Sequence, residues 1–281
     1  MRDDLIRELT SIHVSDREKI LSVSRQKANP SGALSPCDMT PDDVDYEMSF
    51  PKDKRILEIC GMNQESFEYF VEKYGESYEA LYFFKCQLIS DFSPLSKLKN
   101  LKAVIIWWNI RSMRLWDMSE NSSLKQISIN DCKKITGNLG DLATSKTLED
   151  VSVYGSIFNN FVIENLDHFK NIPSLRELTL RNITLKNRSI DFLKDTPNLT
   201  EFNFDSGMLT TEQIAYICAR YPHIKGTALC AYNKKDAILS DVRICGYRKP
   251  GLNLPEGQKR LEKYIREFDA LVEKYKTEEL E

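Results

Sequence analysis

A short pattern of apolar residues recurs seven times between Tyr78 and Tyr232, and it constrains the fold of this 281-residue chain more than any other feature. Each copy has an apolar residue at position 1, with positions 4 and 6 also apolar in nearly every copy and a small or polar residue usually at position 9. Apolar residues two apart indicate a β-strand with one buried face. One such strand per copy predicts an architecture in which each unit stacks on the next. The copies begin, 23 to 27 residues apart, at Tyr78, Leu101, Leu124, Leu148, Leu175, Leu199 and Ile224.

Position 9 is Cys86, Asn109 and Cys132 in the first three copies. With this position included, the pattern resembles the leucine-rich repeat, and residues 91–101 resemble its short-period, internalin-like subclass. Later copies diverge from that subclass. In the family, the Asn or Cys points inward and forms hydrogen bonds with the backbone at a turn.

The resemblance implies an α/β fold, a leucine-rich repeat solenoid. A curved parallel β-sheet would form its concave face, short helices or turns its convex face, and helices would cap both ends. The alternative is an ordinary α/β domain whose apolar spacing is accidental.

Four regions follow from this pattern and from the segments around it. Residues 1–54 are predicted to be an N-terminal helical arm with a proline-containing linker, and residues 55–77 an N-terminal cap. The repeats occupy 78–235, and 236–281 form a C-terminal cap with a long amphipathic helix.

Within the arm, Leu5 and Leu9 fall on one face of a predicted helix. A capping box at Ser15 predicts a second short helix through Leu21. The prolines of residues 28–45 predict an extended linker.

Outside the arm and the repeat strands, apolar spacing and capping residues predict further elements. Strands are expected at 55–60 and within 238–248. Helices are expected at 64–74, 211–220 and from Pro255 to about Lys276.

Composition excludes several classes of protein. With 41% hydrophobic and 29% charged residues, a disordered chain is not expected, and a net charge of −3 gives no positive field for nucleic acid. No apolar run approaches the roughly 20 residues of a membrane span, and the charged N-terminus does not resemble a signal peptide. Seven cysteines without a C-x-x-C motif are interpreted as free thiols in a reducing compartment. We therefore expect a cytoplasmic protein with no nucleic-acid or membrane partner.

The sequence offers little for catalysis. The three histidines lie in different segments, none at a metal-ligand spacing, and there is no nucleophile elbow or phosphate-binding loop. The sequence therefore predicts no catalytic residue, no metal site and no cofactor.

Side chains alternate along a strand, so positions 3, 5 and 7 of each copy should face away from the core. In the first two copies these positions are rich in aromatic residues, and in the third to sixth copies they are mostly polar. Aromatic side chains ringed by polar groups are typical of binding hot spots. The predicted partner-binding residues are Tyr82, Phe84, Ile105, Trp107, Trp108, Asn130, Tyr154, Arg181 and Asp205.

Two hypotheses explain such a face, and they are compatible. A partner protein docks there, or the N-terminal arm of the same chain covers it. The leading functional hypothesis is a non-catalytic scaffold that binds another protein through the concave face, with an inhibitor or immunity-type protein as a more specific version. The acidic polar half favours a partner with basic groups. The alternatives are an enzyme with its site in the non-repeat ends, and a self-associating structural protein.

Overall fold

Parallel strands dominate the structure, a computed structural model that describes residues 4–13, 15–22, 39–156, 161–234 and 239–278. The strands in chain order are β1 (Ile20–Ser22), β2 (Ile56–Cys60), β3 (Ala80–Phe84), β4 (Ala103–Trp107), β5 (Gln126–Asn130), β6 (Asp150–Tyr154), β7 (Phe161–Ile163), β8 (Glu177–Arg181), β9 (Ile183–Leu185), β10 (Glu201–Phe204), β11 (Tyr232–Asn233), β12 (Val242–Ile244) and β13 (Gly251–Leu252). The α-helices are α1 (Leu5–Thr10), α2 (Pro41–Met48), α3 (Gln64–Lys73), α4 (Lys133–Thr136), α5 (Thr211–Arg220) and α6 (Gln258–Thr277).

Eight strands form one parallel sheet in the order β1-β2-β3-β4-β5-β6-β8-β10. The strands of this sheet therefore lie side by side in the order in which they occur in the chain. The register keeps the copies in phase. Leu81 at position 4 of the first copy is level with Val104 of the second, which is level with Ile127 of the third. The predicted strands of the first six copies, and the strand predicted at 55–60, are confirmed.

Positions 4 and 6 of these strands are buried in one continuous core. The segments that return the chain to the next strand add further buried side chains from short 3-10 turns, such as Leu95 in Ser93–Lys97 and Phe192 in Asp191–Asp195. A third turn of this kind is Gly140–Thr144. The back of the fifth copy is therefore a 3-10 turn like those of the early copies, whereas the back of the sixth copy is the predicted helix α5.

Buried polar side chains satisfy the backbone between strands. The Asn109 amide nitrogen donates to the carbonyl oxygens of Cys86 (2.9 Å) and Ile89 (2.8 Å). Its oxygen accepts from the backbone N–H of Ser112 at 2.9 Å, and the Cys132 sulfur accepts from the N–H of Asn109 at 3.3 Å. These turns would otherwise bury unpaired backbone groups.

The N-terminal arm differs from its prediction in two places. The helix predicted from Ser15 through Leu21 is wrong, because Arg17–Lys19 form a single 3-10 turn and the chain then enters β1, which pairs with β2. The linker predicted at 28–45 ends earlier than expected, since α2 begins at Pro41. Proline is favoured at a first helical position, and Thr40 caps this helix through a capping box with Asp43. The part of that linker at 28–38 lies outside the described residues.

At the other end, α5 has the predicted bounds and α6 packs against it, with the rings of Tyr216 and Tyr275 at 5.5 Å. The strand expected within 238–248 is β12, which pairs antiparallel with β11 and β13. Residues 226–230 of the seventh copy do not form the expected strand, and in the described part of the chain this copy joins the large sheet through an isolated bridge between Lys225 and Glu201. None of the helices in the described part of the chain is long and apolar enough to cross a membrane.

Candidate functional site

The face of the large sheet opposite its core is called here the front face, and it carries positions 3, 5 and 7 of each copy. It is divided between β5 and β6. On β3, β4 and β5 the side chains at positions 3 and 5 are buried, whereas on β6, β8 and β10 no side chain at positions 3, 5 and 7 is buried. We call the first part the covered half and the second the open half.

Helix α1 lies on the covered half. Its two buried side chains, Leu5 and Leu9, join Ala80, Ala103 and Ile105 in a second apolar cluster, separate from the main core. The first N–H groups of a helix have no partner within it. Here the side-chain oxygen of Gln126 on β5 accepts from the N–H groups of Leu5 (3.1 Å) and Ile6 (3.4 Å).

A salt bridge also holds α1 on the sheet. Glu8 of this helix pairs with Arg55, the residue before β2. The apolar side of α1 and its polar end groups therefore both match the surface beneath it.

Two predicted binding residues are consequently not exposed, contrary to the expectation from the sequence. Tyr82 is 6% exposed and Ile105 is fully buried, because α1 covers the apolar positions of β3 and β4. Burial, together with the nearby carboxyl group of Glu58, raises the pKa of the Tyr82 hydroxyl well above its usual value. The Glu58 carboxyl is itself partly buried, which raises its pKa.

The open half is polar. Its middle row consists of Ser152, Thr179 and Asn203, and carboxylates flank this row. They belong to Asp150, Glu177, Glu201 and Asp205.

The predicted residues Arg181 and Asp205 lie together at the end of this half. The guanidinium Nη1 is 3.3 Å from the Asp205 carboxylate, and Nη2 donates to the Thr227 hydroxyl at 2.8 Å. Asp205 also accepts from the backbone N–H of Asn182 at 2.6 Å. Both side chains therefore stabilise the end of the sheet as well as contributing to its surface.

The predicted aromatic cluster is found at the carboxyl ends of β3 and β4. The Trp107 ring stacks on Tyr82 with centroids 6.3 Å apart and meets the Phe84 ring edge-on at 5.6 Å. Trp107 and Trp108 are each 40% exposed. Of the other predicted residues, Tyr154 is exposed on β6, and Asn130 on β5 accepts a hydrogen bond from Ser128 at 3.1 Å.

A groove of about 670 Å³ runs along this edge, and we call it the rim groove. Phe84, Trp107 and Trp108 line it together with residues that were not among the predicted partner-binding residues. Those include Lys85, Ile110, Asp131, Lys133, Lys134 and Phe161. Lys85 and Asp131 occupy position 8 of their copies, and Ile110 and Lys133 occupy position 10. Their place directly after positions 7 and 9 is the sequence signal that could have identified them as binding residues.

Position 8 has an unusual backbone conformation. Lys85, Trp108, Asp131 and Asn182 occupy it in four copies, and all have φ between 51° and 60°. The N–H of Trp108 donates to the carbonyl of Asn130 at 2.8 Å, and that of Asp131 to Tyr154 at 2.9 Å. The backbone hydrogen bond of this left-handed residue links the end of its own strand to the end of the neighbouring strand. The same conformation directs the position-8 side chain toward the rim groove.

The titratable groups of this region do not form a reactive set. Burial raises the pKa of the Cys132 thiol to about 12 and that of the Asp131 carboxyl above its usual value. Across the residues that the structure describes, no three His, Cys, Asp or Glu side chains are placed to hold a metal ion. What the front face offers is aromatic surface, charge and hydrogen-bonding groups.

No model of a known protein family matches the chain, and no curated protein sequence matches it.

Proposed function

We propose that the chain is a leucine-rich repeat solenoid that acts as a non-catalytic protein-binding scaffold, with the front face as its concave face. The repeat assignment is supported by six copies that contribute one in-register parallel strand each. It is also supported by Asn109 and Cys132, whose inward side chains bond the backbone as expected for position 9 of that repeat.

The observation that carries the binding proposal is the open half of the front face. Its side chains stand on adjacent strands about 5 Å apart, so they form a continuous polar surface. Four carboxylates and one arginine favour a partner with basic groups. Trp107 and Trp108, exposed at the carboxyl end of β4, supply the aromatic anchors that such interfaces use.

The test is affinity capture from the native cell lysate, followed by measurement of the affinity of the purified complex. The bait is the intact chain beside a Thr179→Arg/Glu201→Lys variant, which places bulk and positive charge in the middle of the open half. A matched control is Val162→Arg/Glu164→Lys, which makes the same changes on the exposed positions of β7 and the turn after it.

We expect one partner to be retained by the intact chain and the control but lost by the open-half variant. Loss of about 2 kcal/mol of binding free energy or more would mark this surface as the centre of the interface. Equal retention by all three baits would refute the front face as the binding surface. If the partner is an enzyme or toxin, its activity in the complex shows whether binding inhibits it.

A further inference from the structure

Trp108 has a backbone conformation that is unfavourable for its residue type. Its φ of 60° lies in the left-handed region, which Gly and Asn adopt readily and bulky side chains do not. Asn182 occupies the same position in the fifth copy with a φ of 55°. Because the Trp108 side chain is 40% exposed, burial within the chain only partly offsets this cost. Lys85 and Asp131 share this conformation in their copies, so the turn belongs to the repeat, and it is the exposed aromatic ring at this position that is a reason to look for a ligand.

The surroundings of Trp108 in the rim groove are apolar and positively charged. The ammonium group of Lys85 lies 5.2 Å from the Trp108 ring centroid and 5.0 Å from that of Phe84. On the other wall, Lys133 and Lys134 are both exposed, and among the residues that the structure places neither forms a salt bridge. The one carboxylate of the lining belongs to Asp131.

We propose that the rim groove binds an acidic peptide segment of the partner, with one apolar side chain of that segment seated against Trp108. The argument is charge complementarity. Lys133 and Lys134 against one carboxylate leave an excess of positive charge beside a surface that otherwise carries carboxylates. This inference rests on the proposed function and specifies the chemistry of the partner at one end of the face.

A nucleic-acid strand also combines negative charge with flat rings, but the charges around the groove disfavour it. The open half next to the groove carries four carboxylates, and the chain as a whole has a net charge of −3. A strand with a phosphate at every nucleotide would be repelled as soon as it left the groove. A short acidic segment, followed by basic residues on the open half, would not.

The experiment is a selection of random peptides displayed on phage, with the intact full-length chain as bait. The affinities of the enriched peptides are then measured by fluorescence anisotropy. The first test variant is Trp108→Asn, which removes the ring but keeps a residue that already adopts this backbone conformation at Asn182. The second is Lys133→Glu/Lys134→Glu. A third variant, Glu201→Gln, reports on the open half, and the control is Glu164→Gln on the exposed turn after β7.

We expect the enriched peptides to be acidic and to share an apolar residue. Trp108→Asn should weaken their binding by about thirtyfold, and the lysine reversal by about tenfold, whereas Glu164→Gln should leave it unchanged. Binding should also weaken as salt is added.

Three outcomes would overturn the inference. Enrichment of basic peptides that depend on Glu201 would place recognition on the open half, which retains the proposed function and removes the role of the groove. No enrichment over empty beads would mean that the groove has no peptide affinity, and the capture experiment would then decide the proposed function by itself. Tight binding of a single-stranded oligonucleotide that Trp108→Asn abolishes would assign the groove to nucleic acid.

Discussion

Replacing Leu9 with alanine should release α1 from the covered half of the front face while the large sheet stays folded. Leu9 is fully buried and Leu5 is 2% exposed, and no other α1 residue is buried to this degree. Burial of two leucines contributes about 3–6 kcal/mol. Truncation of a buried leucine to alanine costs about 2–4 kcal/mol, which is a large share of that total.

The assay is hydrogen exchange followed by mass spectrometry. A loss of about 2–4 kcal/mol corresponds to opening of α1 about 30 to 1,000 times more often, since each 1.4 kcal/mol is a factor of ten. The amides of α1 should exchange faster by that factor. The amides of β3 and β4 should not, because they are bonded to neighbouring strands and not to α1.

The matched control is Arg7→Ala, since Arg7 lies on the exposed side of the same helix. It should leave exchange in α1 nearly unchanged. Two results of Leu9→Ala would refute the reasoning. Unchanged exchange in α1 would mean that the leucine contacts do not hold the helix, and equal acceleration in β3 and β4 would mean that α1 is an integral part of the fold.

Three further predictions concern single residues. Asn109→Asp keeps the oxygens that accept at the turn but removes the donor to two buried carbonyls, so chemical denaturation should show the free energy of unfolding lowered by about 2–4 kcal/mol. Hydrogen bonds from Lys73 and two tyrosines lower the pKa of Asp45 from 3.8 to about 2, so its contribution to stability is present above pH 3.8 and is lost as pH falls through about 2. Asp45→Asn should therefore lower the melting temperature at neutral pH, and thermal scans at decreasing pH should show this difference closing toward pH 2, whereas a constant difference would contradict the assignment. Burial holds the pKa of the Cys132 thiol at about 12, so iodoacetamide should alkylate it in unfolded protein and leave it unmodified in native protein, as peptide mass mapping would show.

Local signals in the sequence predicted much of the sheet and the helices that follow it. Apolar residues two apart identified β3 to β6, β8 and β10, and the capping box at Thr210 together with the proline at 222 gave the two bounds of α5. These elements were predictable because the residues that determine them lie within a few positions of one another. The seventh copy was not, since it keeps the spacing but has Thr227 at position 4 and Gly226 before it.

The arm shows why other features could not be predicted. The apolar side of α1 could be read from the sequence. The place where α1 packs on the sheet could not, because its first N–H groups donate to Gln126, which is 121 residues away. The strand β1 has only three residues, and the capping pattern before it favoured a helix. A proline at the first position of α2 looks the same in sequence as a proline in a linker.

In the candidate site, the sequence located the aromatic cluster and the polar row but not which part of them is accessible. Tyr82 at position 5 of the first copy and Trp107 at position 7 of the second both point outward, and the tertiary contact with α1 distinguishes them. The strained backbone of Trp108 was equally hidden, because its position in the repeat does not by itself reveal a positive φ.

The contact between α1 and Gln126 also sets an order of events during synthesis of the chain. The helix leaves the ribosome before the sheet that it covers, and the side chain that accepts from its first N–H groups is made 121 residues later. At about 5–20 residues per second, this interval is roughly 6–25 s. Throughout that time β2, β3 and β4 can pair as they emerge, while their apolar front side chains have no complete cover. A chaperone that binds apolar surface could therefore bind this nascent chain before α1 packs on the covered half.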